Sequence, residues 1–539
     1  MPLDAVVGKA ATVFEPIQPQ LAPAPLRVAL LESQPHEGSS VAGDRAREAN
    51  SRPAPVDLRT ASQQFLDAAS TDGALQLWFG TAIRPDRDYL LHRLSGDIAA
   101  IDRLLQEQVN AILHHPRFQT LEASWRGLRY LVDQAADYPS TVVRALDLSA
   151  SELRQDQEDA TDVEQSELFR KVYTQALSTP GGEPFGVLIG DYEVQLKPVL
   201  REDRDAPHLP HCIDVRTVSS VAQIATAAFC PFIAAASPSL FGIDELTQLD
   251  RIANLQRVFE QLSFLPWRKL REDEHSRFVG LVLPRVLMRL PYVDDATRED
   301  RFRFVEDVSG PERNKYLWGN AGYAFAGVLI RAFGESGWFA HIRGVRRGEL
   351  GRGLVSSLPT HYVDTDRWGV VPKMGTEVTI TDELENELSV AGFLALCHCK
   401  YLEQAAFYST PSVQKPQTYD RLSATLNARI SSMLQYILCV SRFAHYLKVI
   451  ARHKVGQFSS ATDCERYLKR WIVQYVSPDE TATEEAKARL PLRKAEIAVR
   501  ERPDAPGSFD CVIHLWPHYA LDELSGMIRL RTEISTAPN

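Results

Sequence analysis

Apolar residues change their spacing along this chain, and that change constrains the fold more than any single motif. From Leu90 they recur every three or four residues, at Leu94, Ile98, Ile101, Leu105, Val109 and Ile112. This is the spacing of one face of an α-helix. Pro116 lacks a backbone donor and stops or bends that helix near His115. A second helix follows, with Phe118, Leu121, Trp125, Leu128 and Val132 on one side. Its Glu122 and Arg126 stand four apart and can pair on the helix surface. Between residues 493 and 516 the period drops to two. RKAEIAVRE and SFDCVIHLW alternate on either side of the turn PDAPG, the pattern of a β-hairpin with a medium-length loop. Residues 526–534, GMIRLRTEI, read as a candidate third strand, whose exposed edge would invite strand addition.

Strand and helix patterns alternate between these ends. Residues 141–149 are strand-like, 166–177 helical, 185–192 a buried strand, 218–228 a helix and 231–237 an apolar strand. Residues 278–292 add an apolar core segment. The alternation predicts an α/β class with both faces of a sheet covered. One long helix is expected over residues 419–454, with Leu422, Leu426, Ile430, Leu434, Ile437, Ser441, Ala444 and Leu447 inward. Residues 1–58 are rich in Pro and Ala and read as a flexible arm. LRVALLES within it (residues 26–33) is a candidate strand on a partner. The domain reading is therefore an arm over 1–58, a main α/β region over 59–420, and a C-terminal domain with a long helix and hairpin over 421–539.

Charge and motifs restrict the function. A net charge of -10 gives no sign of electrostatic nucleic-acid binding, and no nucleic-acid partner is expected. Seven scattered cysteines do not suggest a secreted disulfide framework. No run of about 18 apolar residues occurs, so no membrane insertion is expected. The N-terminus lacks the basic and apolar regions of a signal peptide, which favours a cytoplasmic location. G-x-S-x-G, Walker A, H-E-x-x-H and EF-hand spacings are missing from the sequence. Cys397 and Cys399 flank His398, yet no second Cys/His pair accompanies them as structural zinc requires. Adjacent His114 and His115 point about 100° apart on a helix and make poor co-ligands. GVRRGELGRGLV (residues 344–355) lacks the Lys-Ser/Thr of a phosphate loop and reads as a surface loop. Glu272, Asp273 and Glu274, set among Arg268, Arg271 and Arg277, suit a solvated face or a contact between subunits. No catalytic, cofactor or metal residue is expected, and the chain reads as a non-enzyme.

Ten segments taken in order carry a family resemblance. They begin with HHPRFQTLEASWRGLRYLV and include TPGGEPFGVLIGDYEV, CPFIAAASPSLFG, KYLWGNAGYAFA and GTEVTITDELENELSVAGFLALCHCK. They end with LQYILCVSRFAHYLKVIARHKVG and ARLPLRKAEIAVRERPDAPGSFDCVIHLWPHYALDEL. In this order they resemble the large subunit of the type VI secretion contractile sheath, the TssC/VipB family. The resemblance implies a multi-domain fold like that of phage tail sheaths. It implies pairing with a small TssB/VipA-like subunit and polymerisation into a helical tube around inner-tube hexamers. Assembly on a baseplate, contraction that drives effector delivery, and disassembly by an AAA+ ATPase acting mainly through the small subunit are implied too. The C-terminal hairpin then resembles a strand-exchange platform, with Ile497, Val499, Phe509, Cys511 and Ile513 as its apolar residues. Two features depart from the family pattern: the arm is longer than usual, and the loop at 344–355 is more basic. Two alternatives stay open, a sheath subunit of another contractile device that needs no small subunit, and an α/β enzyme using Cys397, His398 or Cys399.

Overall fold

The computed structural model describes residues 58–79, 86–197, 211–297, 302–310, 312–345, 351–362, 374–399, 404–454, 460–479, 481–502, 509–518 and 528–534. The arm expected over 1–58, LRVALLES included, lies outside these but for its last residue; so do residues 346–350 of the Gly-rich loop and the 503–507 turn. Contacts divide the chain into two compact units. One reaches Ile112 and includes Tyr292–Glu306; the other comprises Leu113–Pro291 and Asp307–Asn539.

The first unit is helical: α1 (Leu58–Leu66), α2 (Thr71–Phe79) and α3 (Arg87–Leu113). Buried Trp78 donates its indole N–H to Asp97 Oδ2 at 3.0 Å, and its ring lies 5.4 Å from that of Phe65. Gln106 donates to the Arg303 carbonyl at 2.7 Å, fastening α3 to the 292–306 excursion.

The second unit is built on a six-stranded sheet of order β2-β1-β3-β4-β7-β8. Its strands are β1 (Leu188–Gln195), β2 (Cys212–Asp214), β3 (Phe232–Ala236), β4 (Val279–Leu283), β7 (Phe393–His398) and β8 (Ala405–Phe407). A small pair, β5 (Val286–Leu287) and β6 (Trp318–Gly319), stands apart from it. All pairings in the large sheet are parallel except β7–β8. Period two distributes the strand residues between two cores. Phe232, Ala234, Leu281, Leu283, Phe393 and Ala395 face one core with helix Val215–Ala228, whereas Ile233, Val282, Leu394 and Leu396 face the other. Both faces are covered, as expected for parallel strands that read as continuous apolar runs. Trp267 stacks on Phe393 with ring centroids 5.2 Å apart.

The second core rests on two helices, α4 (Pro116–Ala135) and Ala321–Ser336, which cross through glycines. Tyr323 lies where a Cβ on Gly127 would stand, and Tyr130 Oη would lie 2.6 Å from a Cβ on Gly327. Each helix thus receives a tyrosine from the other. Gly327→Val should destabilise the chain by about 1–3 kcal/mol through overpacking, read as a lower midpoint in thermal unfolding. An unchanged midpoint would refute this account of the crossing.

Three local readings are corrected. Residues 141–149 form no strand; Val142 and Leu146 are exposed and no ladder forms along this segment. Residues 166–177 are helical, but as a short α-turn, Glu167–Phe169, running into a π-helix, Arg170–Ser178. The single helix expected over 419–454 is two, Leu422–Ser431 and Leu434–His453. At the break Met433 is extended, with ψ 130°, and forms an isolated bridge with Pro411. Ser412 N–H donates to the Ser432 carbonyl at 3.2 Å, and Leu434 N–H donates to the Thr410 carbonyl at 2.9 Å. A neighbouring segment thus takes the hydrogen bonds that a continuous helix would keep.

A buried histidine sits in the second of these helices. His445 Nε2 lies 2.9 Å from the Ala228 carbonyl, which only accepts, so Nε2 carries the proton. Burial pushes its pKa down to about 4, with Arg442 and Lys448 adding to the shift. Between about 6.5 and 4 the unfolded chain then binds the proton more readily than the folded one. Stability should fall by about 3 kcal/mol as pH drops through that window, at about 1.4 kcal/mol per unit. Denaturant melts at pH 7 and 4.5 check this; a His445→Gln chain showing the same pH loss would refute it.

The C-terminal sheet has the order β11-β10-β9, from β9 (Leu492–Glu501), β10 (Phe509–Pro517) and β11 (Ile528–Ile534). Both pairings are antiparallel. The hairpin and the third strand are as the period-two pattern predicts.

Candidate assembly surfaces

The five residues assigned to the apolar face of the hairpin do come together. Val499 pairs with Cys511 and Ile497 with Ile513, and Phe509 follows on the same face. Their exposures run from 0 to 8%. That face is filled by the chain itself: Phe443 and Leu447 of helix Leu434–His453, and Cys464, Leu468 and Ile472 of helix Ala461–Ile472. Burial pushes the Cys511 thiol up to about 12, which keeps it unreactive. The sheet can therefore offer another chain its main-chain edges and its polar face, where Lys494 reaches Glu496 at 2.7 Å and lies over Trp516. At the β9 end, Val499 N–H donates to Glu465 Oε2 at 3.1 Å, and Ser477 N–H donates to the Leu492 carbonyl at 2.8 Å.

Helix α4 presents the opposite case. Phe118, Leu121, Trp125 and Val132, on the apolar side read from the sequence, are 37, 56, 65 and 51% exposed. The buried side carries the smaller Ala123 and Gly127 together with Leu131. Glu122 bonds both Arg126 at 2.8 Å and Arg289 at 2.9 Å; Arg289 is nearly buried, so this pair helps fasten α4 to its unit. In the helical unit, Leu91, Ile98, Leu105 and Ile112 of α3 are all exposed and stand seven apart. Seven-residue spacing keeps side chains in line along a helix and suits a seam with a second helix.

The residues of the enzyme alternative do not converge. Along β7 and just beyond it, alternation puts His398 on the opposite side from Cys397 and Cys399. Cys397 lies in the core with its thiol pushed up to about 12 by burial, and the Cys399 thiol, 3.7 Å from Tyr408 Oη, is also raised. Burial lowers the His398 pKa. His398 borders a cavity of about 40 Å³ with Thr360, Thr376 and Gln404. That is room for water rather than a substrate. Among the described residues, no three His, Cys, Asp or Glu side chains gather as a metal site, and no helix is long and apolar enough to cross a membrane.

Comparison with known proteins decides the family. Residues 95–414 match the VipB family's EvpB/VC_A0108 tail sheath N-terminal domain, and residues 423–534 match its tail sheath gpW/gp25-like domain. The chain belongs to the VipB tail sheath family. Within it, the type VI secretion system sheath protein TssC1 of Pseudomonas aeruginosa is 39% identical over 443 residues, which cover 82% of this chain and 85% of that protein. A solved sheath tail protein from Desulfitobacterium hafniense is 12% identical, with a TM-score of 0.26 over 59% of this chain and 60% of the other, and carries no weight. The VipB match spans α4, both cores and the C-terminal sheet, so the family likeness drawn from ten sequence segments is borne out.

Sequence reasoning placed these apolar residues on one side of the helix but did not show that this side stays uncovered. One signal was present: Ala123 and Gly127, four apart on the other side, mark a close helix crossing.

Proposed function

We propose that this chain is the large subunit of a type VI secretion contractile sheath. It pairs with a small TssB/VipA-like subunit, polymerises into a helical tube around inner-tube hexamers, and contracts to drive effector delivery. The observation that carries this reading is the α4 stripe, four large apolar side chains left open on a well-packed helix. Solvated apolar surface of this kind is covered in assemblies. The 39% identity to a sheath protein supports the same reading.

A helical tube grows through head-to-tail contacts that do not close. Strand addition to the C-terminal sheet would supply links held by main-chain hydrogen bonds while the connections hinge. Contraction is then a switch between two packings, the extended one metastable. Such a subunit needs no active site, and with its raised thiols and separated His398 the chain is read as a non-enzyme. It works in the cytoplasm, on a baseplate, and is dismantled by an AAA+ ATPase acting mainly through the small subunit. Its parts are an arm over 1–58, a main region over 59–420 and a C-terminal domain over 421–539.

Negative-stain microscopy of the chain alone and co-expressed with its small partner tests the proposal. Tubes formed only in co-expression support it. Tubes from the chain alone favour a one-component contractile device. Discrete particles in both overturn the sheath reading.

A further inference from the structure

We propose that Gln435, Lys487 and His518 hold one buried water molecule at the foot of the C-terminal hairpin, and that this water pins the hairpin to the rest of its unit. The pin needs no second subunit and stands whatever the chain assembles into.

Both ends of the hairpin return to one place. His518 follows β10 and donates its backbone N–H to the carbonyl of Pro491, the residue before β9, at 2.9 Å. Pro491, Pro517 and His518 there border a cavity of about 20 Å³, together with Gln435, Glu484 and Lys487. A polar cavity of about 10–15 Å³ or more admits one water molecule, and this one is too small for an organic ligand.

Two acceptors at this cavity are unpaired. Gln435 is 7% exposed. Its Nε2 donates to the Ala340 carbonyl at 2.5 Å, which fixes the amide orientation and leaves buried Oε1 without a partner in the chain. The His518 ring donates to the Ser477 carbonyl, so its other nitrogen, buried Nε2, is an acceptor, and it too has no partner in the chain. Buried acceptors left unpaired are costly. Pro491 and Pro517 cannot serve them, because proline has no N–H. Lys487 brings a donor to the cavity. Its Nζ lies 3.5 Å from Glu484 Oε1, and an ammonium has three hydrogens to give.

Water completes this set. It donates one hydrogen to Gln435 Oε1 and the other to His518 Nε2, and it accepts from Lys487 Nζ. Three bonds are usual for a buried water. Ions fit less well. A cation would face Lys487, and also Arg352, which lies 3.2 Å from Glu484. Chloride would face Glu484 and has no hydrogen to offer two acceptors. The three holding residues belong to helix Leu434–His453, helix Glu484–Arg489 and the end of β10, so one molecule ties together parts far apart in sequence. Gln435 extends the tie to Ala340 through its other amide atom.

Crystals of the purified full-length chain grown with bromide test the occupant. One water peak is expected within about 3.2 Å of Gln435 Oε1, His518 Nε2 and Lys487 Nζ, with no anomalous bromide signal. No peak there, or a bromide peak, overturns the proposal. Hydrogen exchange at the Ser477 amide, which donates to the Leu492 carbonyl beside the foot, reads the pin. Gln435→Leu should speed that exchange about fivefold in the wild-type background, the worth of about one hydrogen bond. In a His518→Phe background it should change it by less than about twofold, because the two residues meet only through the water. An equal rise in both backgrounds, or none in either, overturns the pin. Should either variant fail to fold, the wild-type density still decides.

Discussion

Removing residues 519–539 should leave a folded chain that no longer grows into tubes. The truncation takes away β11 but keeps the β9–β10 register and the face packed on helices Leu434–His453 and Ala461–Ile472. A deeper cut at residue 508 would behave differently. It would also strip Phe509, Cys511, Ile513 and Leu515, none more than 4% exposed, and uncover Ile497 and Phe443. Large-to-small changes at such sites cost about 2–5 kcal/mol each, so that chain should unfold. Circular dichroism melts and microscopy on the two truncations separate assembly from folding. Long, normal sheaths from the 519–539 deletion would sink the strand-exchange reading.

The second large effect is expected at α4. Leu121→Asp with Trp125→Asp should abolish co-purification with the small sheath subunit, a loss of about a hundredfold or more in affinity. Large aromatic side chains at interface centres carry about 2–4 kcal/mol each, and a carboxylate placed in a dehydrated seam is opposed further. Both residues are more than half exposed, so the fold should barely respond. Ala123→Asp is the contrasting variant: at 7% exposure on the packed side it should unfold the chain. Retained pairing in the double variant would show that the stripe meets something other than the small subunit.

Much of this molecule was legible in its sequence because the signals were local. Period two in residues 493–501 and 508–516 determined β9 and β10, and it placed Ile497, Val499, Phe509, Cys511 and Ile513 on one face. Side chains alternate along any strand, whatever covers them. The continuous apolar run at 231–237 marked a strand buried on both faces, and the apolar core segment read at 278–292 contains another, Val279–Leu283. The order of the ten segments identified the family.

Tertiary structure decided the rest. Helical spacing continues from Leu426 through Ile430 and Leu434 to Ile437 without a mark at the break, because the groups that open it belong to Thr410, Pro411 and Ser412. Period three-to-four says that α4 has an apolar side but not what meets it. Tyr323 seated on Gly127 and Tyr130 seated on Gly327 turned the small-residue side inward and left Trp125 in solvent. The alternation of β9 says nothing of its edge, which Glu465 reaches from a different helix. Pattern along a chain fixes which residues share a face, since that is backbone geometry. Which face is covered, and which backbone groups are taken, depends on partners distant in sequence, and only the folded chain brings those together.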